Sequence, residues 1–145
     1  GPRRACDYLR EDLTTYIQDS PNRVARLIQI EHVDAVRNLE AILEVRHLVG
    51  IIIGPCDLSG SIGLLNQIYH PDVLALIDEI IAKCRAVNMP VGIAVGADTP
   101  EQVSFWLNRG IQFLSAGCDM AELSAAMKRR MSMMDAVRRA RSQHS

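Results

Sequence analysis

The sequence predicts an α/β fold of parallel βα units, on three observations. First, four short runs are almost continuously apolar: "VARLIQIE" (24–31), "VGIIIGP" (49–55), "PVGIAVG" (90–96) and "IQFLSAGCD" (111–119). That is the pattern of parallel strands covered on both faces, not the alternation of a half-solvated strand. Second, the segments between them carry helical period. Third, the two kinds of segment alternate strictly, which implies a parallel sheet or barrel.

The helical segments follow from their spacing and their ends. "VDAVRNLEAILEV" places Val33, Val36, Leu39, Ile42 and Leu43 on one face and predicts a single helix. "HPDVLALIDEIIAKCRAVN" does the same with Val73, Leu76, Ile77, Ile80, Ile81 and Cys84, and His70-Pro71 marks its start. "TPEQVSFWLNRG" has Thr99 as N-cap, Pro100 at the first helical position, Gln102 three residues after the cap and Gly110 as the stop. Phe105 and Trp106 on this helix are expected to pack. The longest helix runs from about Met120 to Arg141, and a short helix precedes the first strand. A closed (β/α)8 barrel takes about 250 residues. A single domain spanning 1–145 therefore allows two architectures, an open four-stranded sheet or a half-barrel lacking its first four units.

Composition narrows the classes of function. At 48% hydrophobic and 23% charged, the chain reads as one soluble globular unit with enough apolar mass for a core. Sixteen basic and 17 acidic residues give a net charge of −1, which offers no electrostatic case for nucleic acid. The basic tail from Lys128 onward reads as a solvated helix face. Cys6, Cys56, Cys84 and Cys118 form no CxxC pair, so they read as free thiols of a reducing cytoplasm rather than zinc ligands. No apolar run approaches the roughly 18 residues of a membrane span. The polar, charged start "GPRRACDYLRED" has no secretory character, and a cytoplasmic location is expected.

Two acidic residues stand where strands end, Glu31 closing "LIQIE" and Asp57 just after "IIIGPC". In parallel α/β folds the carboxyl ends of strands are where sites assemble. Two carboxylates without a His or Cys cluster favour a hard divalent cation such as Mg²⁺ or Mn²⁺. The alternative is that Glu31 caps the next helix and Asp57 caps the "LSGS" turn. Gln29 shares a side of its strand with Glu31 and is either a site residue or a buried amide bonded to backbone. Gly54-Pro55 forces a sharp exit, Gly60 and Gly63 allow close backbone approach, and N–H groups near Cys56 and Asp57 offer an anion site. Cys56 has no evident partner base, which argues against a nucleophilic thiol. Asp119, at the last strand tip, reads as a helix N-cap, and His32 and His47 read as surface residues.

Taken as a set, "LIQIE", "GIIIGPCDLSGSIG", "HPDV", "GIAV" and "FLSAGCD" resemble the HpcH/HpaI aldolase family of metal-dependent class II pyruvate aldolases. "GPRRACDY" resembles the segment before the fifth strand of that family's barrel. The resemblance implies the C-terminal half of a TIM (β/α)8 barrel, with about four strands and their helices. It implies cleavage of a 4-hydroxy-2-oxo acid or 2-keto-3-deoxy sugar acid to pyruvate and an aldehyde through a metal-stabilised enolate. Glu31 and Asp57 would be the protein ligands of a divalent ion, Mg²⁺ or Mn²⁺ with Co²⁺ as a further option. Gln29, the Cys56-Asp57 backbone and Ala94 would contact the 2-oxo acid. The family's catalytic histidine and arginine come from the first half of its barrel, outside this chain. Partners implied are the small-molecule substrate, a missing N-terminal half or a second copy in a homo-oligomer, and a neighbouring subunit against the last helix; neither nucleic acid nor membrane is among them. The alternatives are an acyl-CoA lyase of the citrate-lyase β type and a non-catalytic half-barrel assembly module.

Overall fold

In a computed structural model, residues 10, 12–97, 99–115 and 117–142 are described. The "GPRRACDY" segment lies outside them. The order is α1 (Leu13–Arg23), β1 (Arg26–Ile30), α2 (Val33–Arg37), α3 (Leu39–Leu43), β2 (Leu48–Ile53), α4 (Pro55–Gly60), α5 (Pro71–Ala86), β3 (Val91–Ala94), α6 (Pro100–Arg109), β4 (Phe113–Ser115) and α7 (Asp119–Ser142). The four strands form one parallel sheet in the order β1-β2-β3-β4.

That order decides between the two architectures. A doubly wound sheet reverses its strand order and carries helices on both faces. Here each strand lies beside its predecessor, and right-handed crossovers then deliver every connecting helix to the same side. The core shows it. Ile30, Ile53 and Ile93 lie side by side across β1, β2 and β3, as do Ile51 and Val91 one pleat away. All five are buried together with Val36 of α2, Leu39 of α3, Leu58 of α4, Val73, Ile77, Ile80 and Cys84 of α5, and Trp106 of α6. Trp106 also meets Phe105 edge-on at 4.9 Å and stacks on Tyr69 at 5.6 Å.

The opposite pleat has no helix in this core. Leu27 and Gln29 are exposed there, Ile52 and Ala94 are half-buried, and the Phe113 ring lies across Gly92. Among the described residues β1 pairs only with β2 and β4 only with β3. The sheet is a segment of barrel wall: helices outside, an apolar inner face, and two open edges.

Helix ends follow the sequence closely in α5 and α6. His70 Nδ1 accepts from the Asp72 N–H at 3.3 Å with Pro71 at the first position. Thr99 and Gln102 form the reciprocal capping box, and Gly110, at φ 108°, closes α6. Two expectations are corrected. The single helix over 33–45 is broken at Asn38, whose ψ of 13° leaves the helical range, giving α2 and α3. Leu58, Ser59 and Gly60 of the "LSGS" segment belong to α4, with Ser61 as its C-cap; the helix is started by Pro55 at the first helical position, where its missing N–H costs nothing. Lys83 of α5 ties the outer layer together by donating to the Val36 carbonyl at 3.0 Å, with Glu79 and Glu40 at 2.8 and 3.0 Å. Those two carboxylates, Glu79 first, raise its pKa.

A Cβ on Gly92 would lie 2.3 Å from the Phe113 ring. Gly92→Ala is therefore expected to destabilise the protein by about 1–3 kcal/mol through overpacking. The penalty should shrink in a Phe113→Leu background, which denaturant titration of the four proteins measures. Equal penalties in both backgrounds would contradict the contact.

Candidate functional site

The barrel-wall register brings the predicted site residues to one rim. Ile30 pairs with Ile53, Ile53 with Ile93 and Ile93 with Leu114, so the next residues form a row, Glu31, Gly54, Ala94 and Ser115. The Gly54 N–H donates to the Ile30 carbonyl at 3.0 Å, carrying the ladder to this level. Neighbouring strands lie about 4.8 Å apart, which puts Ala94 about 10 Å across the rim from Glu31.

Gly54 is where the side chains of β1 meet β2. A Cβ built there would come within 2.9 Å of Glu31 Oε2, 3.0 Å of Glu31 Cβ and 3.5 Å of Gln29 Nε2. The Glu31 carboxylate and the Gln29 amide thus lie over the bare backbone of Gly54, on the inner side of the wall. Gln29 is exposed, so the reading of it as a buried core amide does not hold. Three residues after Gly54, Asp57 occupies the first turn of α4, where the helix dipole favours a negative charge. Pro55 offers no N–H, and the first intrahelical donor is Leu58, bonded to the Gly54 carbonyl at 2.9 Å. The N–H groups of Cys56 and Asp57 therefore belong to the unbonded first turn.

The capping alternatives for the two acids are not taken up. His32, not Glu31, caps α2, its Nδ1 accepting from the Asp34 N–H at 3.2 Å. Gly54 stands at the start of α4, with Asp57 inside the helix. Among the described residues neither acid forms a salt bridge, and no group of three or more His, Cys, Asp or Glu gathers around a metal-sized space. Glu31 and Asp57 offer carboxylate oxygens, the donor type that suits a hard divalent ion, and the Gln29 amide lies beside Glu31.

Other expectations resolve simply. Asp119 begins α7 and accepts from the Met120 N–H at 2.8 Å. Gly63 sits in open space at φ 79°, so it serves a left-handed turn rather than close approach. Two features escaped the sequence reading. The glycine at 54 clears room for Glu31, and the Ser61 hydroxyl accepts from the Val33 N–H at 3.0 Å. The run "IIIGPCD" shows the first only once the register is known.

The rim of this one-sided parallel sheet carries an acid at the end of β1 and another just past the end of β2, the end of a barrel wall where sites assemble. The sequence pattern of the HpcH/HpaI aldolase/citrate lyase family matches residues 4–126, and the chain belongs to that family. It is 38% identical over 122 residues to the 2-dehydro-3,6-dideoxy-6-sulfogluconate aldolase of Pseudomonas putida, covering 79% of this chain and 47% of that one. It is 36% identical over 134 residues to the 2-keto-3-deoxy-L-rhamnonate aldolase of Klebsiella pneumoniae, covering 92% and 48%. The structure superposes on an HpcH/HpaI aldolase from Desulfitobacterium hafniense with a TM-score of 0.74 at 25% identity, covering 92% of this chain and 51% of that one. A family member from Burkholderia cenocepacia gives 0.73 at 26%, covering 92% and 50%. The chain spans about half the length of the curated relatives it matches. No described helix is long and apolar enough to cross a membrane.

The thiols differ sharply in environment. Cys56 and Cys118 are exposed, whereas burial pushes the Cys84 thiol up to about 11. At pH 8 a maleimide should modify Cys56 and Cys118 and spare Cys84 until denaturant is added, as peptide mass spectrometry reads directly. Because the unfolded chain releases this proton near 9.0 and the folded one near 11, the Cys84 contribution to stability is full below pH 9 and declines between those values.

Proposed function

We propose that this chain is the carboxyl-terminal half of a class II pyruvate aldolase barrel, acting on a 4-hydroxy-2-oxo acid or 2-keto-3-deoxy sugar acid. The observation that carries the reading is the convergence of Glu31 and Gln29 over Gly54, next to the Asp57 turn, on the inner rim. Relatives named as aldolases of 2-keto-3-deoxy-L-rhamnonate and of a sulfogluconate derivative support the substrate class.

Glu31 and Asp57 would hold a divalent ion, Mg²⁺ or Mn²⁺ by the hardness of their oxygens, with Co²⁺ also compatible. When bound, such an ion polarises the 2-oxo carbonyl and accommodates the electron pair released as the carbon–carbon bond breaks. Gln29 reaches the rim from the same pleat as Glu31 and donates through its amide to the 2-oxo acid. The first-turn N–H groups of Cys56 and Asp57 receive its carboxylate. Ala94, small and across the rim, leaves room for the substrate's carbon chain. The proton of the aldol hydroxyl and the cationic partner of the pyruvyl oxygen fall to residues outside this chain.

The inner face and open edges take four further βα units, from the other half of the barrel or from a second copy. The stripe Leu123, Met127, Met131, Met134 and Val137 on α7, each more than half exposed, lies against a neighbouring subunit. The family description also covers citrate lyase, so release of coenzyme A rather than pyruvate would favour the acyl-CoA lyase reading.

Calorimetric titration of the protein with Mn²⁺ tests the site. Glu31→Gln and Asp57→Asn should each weaken binding by at least about tenfold, with circular dichroism unchanged. Absence of binding, or equal binding by all three proteins, would overturn the assignment.

A further inference from the structure

The two acid-bearing segments are joined by one side chain that the reading above does not use. Ser61 follows α4 directly and makes three bonds. Its N–H donates to the Asp57 carbonyl at 2.8 Å. Its hydroxyl donates to the Leu58 carbonyl at 2.7 Å and accepts from the Val33 N–H at 3.0 Å. Val33 is the first residue of α2, two residues after Glu31. The Val33 N–H belongs to the first turn of a helix, which has no intrahelical acceptor, so Ser61 satisfies a group that would otherwise need water.

We propose that Ser61 is a positioning residue that fixes the Glu31 turn against the Asp57 turn and so sets the geometry of the carboxylate pair. This rests on the metal reading of those two acids. The strand side of the rim is already fixed by the Gly54 N–H on the Ile30 carbonyl. Beyond the strands, Glu31 and Asp57 each enter a separate short helix, α2 or α4. The Ser61 hydroxyl joins the end of α4 to the start of α2 by a hydrogen bond that spans 28 residues of sequence. Both of its hydrogen-bonding roles are engaged, proton and lone pair, so its rotation is fixed and with it the spacing of the two turns. An alanine keeps the Ser61 N–H bond to the Asp57 carbonyl and removes both hydroxyl bonds, the one to Leu58 and the one from Val33.

Mn²⁺ titration and amide hydrogen exchange, run on wild type, Ser61→Ala, Ser61→Thr and Asp57→Asn, test this. Ile81→Val, on the buried face of α5, controls for simple destabilisation. Ser61→Ala should accelerate exchange at Val33 and weaken Mn²⁺ binding by about tenfold at a temperature where the protein is fully folded. Ser61→Thr, which keeps the hydroxyl, should restore both, and Ile81→Val should leave affinity unchanged. If Asp57→Asn abolishes binding but Ser61→Ala does not weaken it, Ser61 is only a helix-end bond and the proposal fails alone. If wild type does not bind Mn²⁺, or Asp57→Asn binds as wild type does, the metal reading fails and this proposal with it.

Discussion

Every connection in this sheet returns to the same side, and most of the structure follows from that constraint. A right-twisted parallel strand followed by a helix and a neighbouring strand is right-handed almost without exception. With the order β1-β2-β3-β4, there is no step at which the chain crosses to the other face. Ile30, Ile51, Ile53 and Ile93, which alternate toward the helices, are buried, and Ile28 on the β1 edge is exposed, while Leu27, Ile52 and Phe113 lie on the other pleat. Gly92 admits the Phe113 ring against the backbone, an early layer of side chains filling the inside of the wall.

The same constraint sets which residues share a rim. Strands that run in one direction present all their carboxyl ends at one rim, so residues separated by a whole βα unit become neighbours without any special loop. Glu31 and Gly54 meet for this reason, and Asp57 follows one turn later. The parts that hold this rim are small. A ladder bond reaches Ile30, a missing side chain makes room at 54, and the α4 turn begins at a proline whose lack of an N–H suits the position.

Much of this was legible in the sequence, and the limits have physical causes. Apolar runs at 24–31, 90–96 and 111–119 contain β1, β3 and β4, with ends trimmed by up to several residues, and the run at 49–55 covers β2 except for its first residue, Leu48. Capping chemistry at Thr99, Gln102 and Gly110 was readable because it is local and stereotyped. The break at Asn38 was not, since apolar spacing continues through it and only the backbone angles reveal it. Nor was the link from Ser61 to Val33, because it is a contact across 28 residues between two polar groups with no periodic signature. Continuously apolar strands suggested cover on both faces. The described residues supply one cover, the helices packed on the Ile30, Ile53 and Ile93 side.

We propose one cation site at the carboxyl rim, between the ends of β1 and β2. Paramagnetic line broadening by Mn²⁺ in the amide spectrum of the protein tests it most directly. The two rims are separated by about 15 Å of strand, enough for the effect to discriminate. Signals of residues 31–33, 54, 56–58 and 94–96 should disappear first, while those of 45–48, 88, 89 and 91 at the amino ends persist. Broadening that begins at the amino ends, or along α7, would contradict it.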